Sequence, residues 1–84
     1  MKVIFQYYSE SEDGRDEFRF TNDTEAQEKY ESLKEIIKVQ FADCPDAEIV
    51  NEPDFFGIID QSTGDWAKVM ILFSARSIFK KNDA

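Results

Sequence analysis

Residues 55–73, Phe55-Phe56-Gly57-Ile58-Ile59-Asp60-Gln61-Ser62-Thr63-Gly64-Asp65-Trp66-Ala67-Lys68-Val69-Met70-Ile71-Leu72-Phe73, decide the fold. Two runs rich in β-branched and aromatic residues, Phe55–Asp60 and Trp66–Ala75, flank a polar segment containing a glycine, which is the pattern of a β-hairpin. In both runs apolar residues follow one another instead of alternating with polar ones. A strand reads that way when both faces of its sheet are covered. The register stays open, because a one-residue change in the loop around Ser62-Thr63-Gly64-Asp65 exchanges the two faces.

Upstream, Ala47 to Asn51 reads as a short strand, and Glu52-Pro53-Asp54 as a connector in which proline removes a ladder donor. Further back, Ala26, Tyr30, Leu33, Ile37 and Phe41 recur at three- and four-residue spacing, which predicts a helix over residues 24–43 with one stripe on the core. Thr24 with Gln27 fits a capping box, Glu25 and Glu28 suit the positive end of the helix dipole, and Pro45 prevents continuation. Glu25 with Lys29, Glu31 with Lys34 and Glu35 with Lys38 are helix-spaced ion pairs on a solvated face. Ile36 and Val39 fall off the stripe and are expected in a small exposed patch or against a sheet edge.

At the start of the chain Val3 to Tyr8 reads as a strand, and Asp13-Gly14 is the dipeptide that a two-residue hairpin turn favours. Glu12 then faces Arg15, Ser9 faces Phe18 and Tyr7 faces Phe20. That register puts Val3, Phe5, Tyr7, Phe18 and Phe20 on one face.

The expected fold is therefore α+β, an antiparallel sheet of four to five strands with one helix on one face, in the order β-β-α-β-β-β. Residues 1–79 form a single domain and residues 80–84 a frayed tail. One helix covers one face only. The second face needs a second copy of the chain, a partner protein, or the segment after Ala75 folding back, and a homodimer is the commonest of these solutions.

The chain has 84 residues, 42% of them hydrophobic and eight of them Phe, which is enough apolar surface to order a single globule. The N-terminus begins with a strand-like Val3-Ile4-Phe5 and no run reaches the length of a membrane span, so a cytoplasmic protein is expected. The lone Cys44 cannot form an internal disulfide, and beside Pro45 it reads as a packed or half-buried thiol. There is no histidine, which removes Ser-His and Cys-His nucleophile pairs and the commonest metal ligand. Gly14, Gly57 and Gly64 stand apart, so no dinucleotide fingerprint or phosphate loop is present. Asp60-Gln61-Ser62-Thr63-Gly64-Asp65 lacks the later bidentate Glu of a calcium loop and reads as a turn. Paired carboxylates such as Asp54 and Asp60 suit glycosidase chemistry, but so short a chain seldom provides the cleft. The expectation is a non-enzyme with no cofactor and no metal.

Charge carries the functional reading. The net charge is −8, and between Asp43 and Asp65 the chain holds Asp43, Asp46, Glu48, Glu52, Asp54, Asp60 and Asp65 with no Lys or Arg. Such a field repels nucleic acid and anionic membranes and attracts basic surfaces. These seven carboxylates, with Trp66 as an aromatic anchor beside them and Glu10, Glu12, Asp13 and Asp16 in support, are the expected contact surface for a basic protein. The expected role is a small interaction module or inhibitor; its sharper form is a nucleic-acid mimic, of the kind phages and mobile elements encode, that occludes a nucleic-acid-binding protein. The alternative is a dimeric ligand-binding domain or small enzyme, with Tyr8, Phe56, Ile58 and Met70 lining a sheet-face pocket and the acids only solubilising.

Overall fold

The computed structural model describes residues 1–72. It contains β1 (Lys2–Tyr8), β2 (Asp13–Arg19), α1 (Asp23–Gln40), β3 (Ala47–Glu52), β4 (Phe55–Asp60) and β5 (Trp66–Leu72). This is the α+β order expected, with one helix and a five-stranded antiparallel sheet. The spatial order is β2-β1-β5-β4-β3, so β5 lies at the centre and β2 and β3 form the edges. The strand expected to Ala75 is described as far as Leu72. The expectations for Arg76 to Phe79, for the tail at 80–84 and for a domain end at residue 79 lie outside the described residues.

Helix α1 packs on β5, with β1 and β4 to either side. Its stripe of Ala26, Tyr30, Leu33 and Ile37 is buried against Val3 of β1, Phe56 and Ile58 of β4, and Ala67, Val69 and Ile71 of β5. Phe5, Tyr7, Phe18, Phe20 and Phe41 close the margins of this core. The helix cap lies two residues before the expected capping box at Thr24. Asn22 is the N-cap, its Oδ1 accepting from the backbone N–H of Thr24 at 2.8 Å and of Glu25 at 3.2 Å. A short Asx side chain with extended backbone satisfies two of the orphan donors that Thr24, already helical, cannot reach.

Of the three helix-spaced ion pairs, Glu35 with Lys38 forms, at 3.2 Å. Lys29 instead lies over the Phe18 ring at 4.4 Å and Lys34 over Phe56 at 5.3 Å, where their aliphatic stems cover core aromatics. Arg15 likewise leaves Glu12 and pairs with Glu17 at 2.8 Å. Ile36 and Val39 are exposed, as is Ile49 on the helix-side face of the edge strand β3.

The first hairpin departs from its expected register. Tyr7 pairs with Gly14 and Val3 with Phe18, so Asp13-Gly14 belongs to β2 and the turn is Ser9-Glu10-Ser11-Glu12. The Ser9 backbone N–H donates to the Glu12 carbonyl at 2.7 Å, and the Ser9 hydroxyl accepts from the Glu12 N–H at 3.2 Å. Gly14 does not adopt a positive φ. Its missing side chain serves packing instead: a Cβ there would stand 2.5 Å from the Tyr7 hydroxyl oxygen and 2.6 Å from its ring. Tyr7 meets Gly14 where Phe20 was expected, six positions away, and six is even. The face assignment of Val3, Phe5, Tyr7 and Phe18 survives for that reason.

The second hairpin resolves the open parity. The Asp60 N–H donates to the Asp65 carbonyl at 2.8 Å, and the Gly64 N–H to the Asp60 carbonyl at 2.8 Å. Gly64 has a φ of 82°, the only positive value among the described residues, and it closes the loop Gln61-Ser62-Thr63-Gly64. Ile59 therefore faces Trp66, which sends Phe56 and Ile58 into the helix-covered core and Phe55, Gly57 and Ile59 to the other face. The expected pocket of Tyr8, Phe56, Ile58 and Met70 is split between the two faces by this register.

Candidate functional site

Three connections meet at one end of the sheet. They are the β1–β2 turn, the segment from Phe41 to Asp46 that follows α1, and the β4–β5 loop. Tyr8 pairs with both Asp13 and Trp66, the Gln61 N–H donates to the Asp46 carbonyl at 3.1 Å, and Ser9, Glu10 and Ser11 flank Ser62, Thr63 and Asp65 across a shallow depression. Together these loops carry Glu10, Glu12, Asp13, Asp43, Asp46, Asp60 and Asp65, and no Lys or Arg. Each loop is short and turn-forming, so its acids are fixed by strand ends and do not sweep freely.

Asp60 has a separate task within this end. It is 8% exposed, and its Oδ1 accepts from the Ser62 N–H at 2.9 Å and the Ser62 hydroxyl at 2.6 Å. The Ser62 hydroxyl and then the Ser62 backbone N–H hold its carboxyl below the usual aspartate value, with the Cys44 thiol adding a further hydrogen bond. Cys44 is half-buried beneath the same loop. Burial, then the bond to Asp60 and the charges of Asp60, Asp43 and Asp65, push its thiol up, so the thiolate is suppressed. Asp60 thus ties the β4–β5 loop to the end of β4, and Cys44 sits half-buried beside it at the helix exit.

The sequence-predicted contact residues do not all converge. Asp43, Asp46 and Asp65 join the acidic end, and Glu10, Glu12 and Asp13 complete it. Glu48 and Glu52 stand on the edge strand β3, on the face away from the helix, Glu48 next to the acidic end with its carboxylate accepting from Gln61 Nε2 and Glu52 at the far end of the strand. Asp54 lies at the opposite end of the sheet, where its carbonyl accepts from the Ile71 N–H at 3.0 Å. It lies six positions from Asp60 along the chain, roughly 20 Å for an extended strand. Asp16 lies within β2, paired with Phe5, on the helix side. Trp66 is half-buried on the open face, stacked on Tyr8 with ring centroids 6.3 Å apart and with Lys68 at 5.3 Å from its ring.

The face away from the helix is the second notable surface. Tyr8, Val50, Ile59 and Leu72 are exposed on it, while Ile4 is buried between Glu17 and Met70. Gly57, in the middle, leaves a notch of about 230 Å³ walled by Val50, Phe55, Ile59 and Trp66, with Glu48 and Lys68 at its rim. Sequence reasoning did not single out this notch. The signal was present in the isolated glycine inside an apolar strand run, which marks a close approach or a missing side chain in a packed row. Among the described residues no group of three or more His, Cys, Asp or Glu is arranged to hold a metal ion, and no helix is long and apolar enough to cross a membrane.

Comparison of the chain with protein-family models, with curated proteins and with solved structures finds no match.

Proposed function

We propose that this chain is a non-enzymatic interaction module whose acidic sheet end docks on a basic protein surface. The observation that carries the reading is that Glu10, Glu12, Asp13, Asp43, Asp46 and Asp65 lie on three adjoining loops that themselves contain no Lys or Arg. Like charges held this close destabilise the isolated domain and are relieved when a basic surface supplies counter-charge. The partner is a protein rich in Lys and Arg. A nucleic-acid-binding protein is the sharper form, because its phosphate-binding surface offers that charge, and occlusion of it is the mechanism. Clustering at one end supports a compact contact more than a long phosphate-like stripe, since Asp54 and Glu52 lie towards the other end of the sheet.

The ligand-binding alternative receives less support. The notch over Gly57 holds about 230 Å³, below the roughly 300 Å³ at which small-molecule sites begin. The test is affinity capture from a cell extract with the wild-type chain and with a variant carrying Glu10→Gln, Glu12→Gln, Asp13→Asn, Asp43→Asn, Asp46→Asn and Asp65→Asn. The reading expects a basic protein retained by the wild type and lost by the variant, with far-UV circular dichroism unchanged. Equal retention by both would remove the acidic end from the account.

A further inference from the structure

The open face of the sheet is polarised from one edge to the other. Its β1–β2 flank carries the cations Lys2, Arg15 and Arg19 against Asp13, at the acidic end, and Glu17, which is already paired to Arg15 at 2.8 Å and to Lys2 at 3.7 Å. Its β3 flank carries Glu48 and Glu52, for which no salt bridge forms among the described residues. Between the flanks the surface is apolar, apart from Gln6 and the single cation Lys68 beside the notch over Gly57.

We propose that this face is a homodimer interface, two copies packing open face to open face about a two-fold axis that runs parallel to the strands between β4 and β5. Rotation about that axis lays β5 on the second copy's β4 and β1 on its β3. Lys68 then stands over the notch left by Gly57 in the second copy. Val50, Phe55 and Ile59 accept the four-carbon stem there, and Glu48 at the rim receives the ammonium. In the same arrangement Trp66 meets Ile59 and Met70 meets Phe55, and the cationic flank of each copy approaches the acidic flank of the other. The alternative two-fold axis, across the strands, would set Glu48 and Glu52 against themselves, and like-charge juxtaposition disfavours it.

The area is adequate for a specific contact. Four overlapping strands at ~4.8 Å spacing and about 20 Å long give each copy a footprint of roughly 19 by 20 Å, which with side-chain relief is on the order of 1,000 Å² over both copies. Sheets stacked face to face in this way keep their strand directions within about 30°. A strand-parallel axis also has a functional consequence. It keeps both acidic ends on the same side, so the dimer presents two docking ends to one partner surface or to two adjacent sites.

The dimer does not depend on the docking reading, and its test is separate. Sedimentation of the full chain from about 10 to about 500 μM measures the association directly. The wild type is expected to dimerise. Lys68→Glu and Glu48→Lys are each expected to weaken the dimer at least about tenfold, and the two together to restore it to within about threefold. Restoration in the double variant shows that neither single change acted by unfolding the chain. A wild type that stays monomeric throughout overturns the proposal, the face then being covered by residues 73–84 or by a different protein. Single reversals without effect, or a double variant that fails to recover, overturn it equally. Failure of the acidic-end variant to lose its basic partner would count against the docking reading and leave the dimer standing.

Discussion

Tyr7 over Gly14 shows how one residue can be read correctly for its rarity and wrongly for its role. Glycine beside aspartate favours a positive φ, and Gly14 is used for an aromatic ring that a Cβ would strike. Gly14→Val should therefore destabilise the domain by about 1–3 kcal/mol, as overpacking does. In a Tyr7→Ala background the same change should cost clearly less, because the obstructing ring is gone. Urea unfolding of the four proteins measures this, and an equal cost in both backgrounds would contradict the packing account.

Asp60 gives the corresponding prediction for pH. Its folded-state carboxyl is held below the ordinary value by Ser62, so it contributes stability that is present above the unfolded value and lost as pH falls through the lowered folded value. Asp60→Asn should be less stable than the wild type near pH 6, with the gap closing towards about pH 2. Unfolding midpoints across that range decide it, and a gap independent of pH would show that the Asp60 charge plays no part.

At the scale of elements, the helix was legible because its signal is local. Ala26, Tyr30, Leu33 and Ile37 repeat with the helical period, and all four are buried. Ile37→Ala should cost about 2–5 kcal/mol, whereas Val39→Ala, two residues on and 75% exposed, should stay within about 0.5 kcal/mol. Thermal unfolding of the two variants checks the contrast, and similar losses would place the helix wrongly on the sheet. The strands were legible as segments and not as a register. A turn residue and a packing glycine look alike in sequence, and the spacing of Asp60 and Trp66 allowed either parity until the four-residue loop fixed it. The same limit split the candidate site. Asp43, Asp46 and Asp65 belong to connections that meet at one end, while Asp54 belongs to the connection at the other, and a charge count along the chain contains no information about which ends of strands are neighbours.

For the whole molecule, an α+β sheet covered on one side leaves two surfaces of different chemistry. The helix side is a closed core. The open side is apolar with oppositely charged flanks, and the sheet end is acidic. A protein with a net charge of −8 needs neither surface for solubility alone, since the charges scattered over α1 already provide a hydrated face. In the proposed docking the acidic end meets a basic partner, and the attraction is electrostatic. Purified partner and full chain, titrated at increasing salt, test this most directly. The docking account predicts an affinity that falls at least about tenfold between ~50 and ~300 mM salt, as exposed charges are screened beyond a Debye length of ~10 Å at 0.1 M. An affinity that holds constant over that range would contradict it.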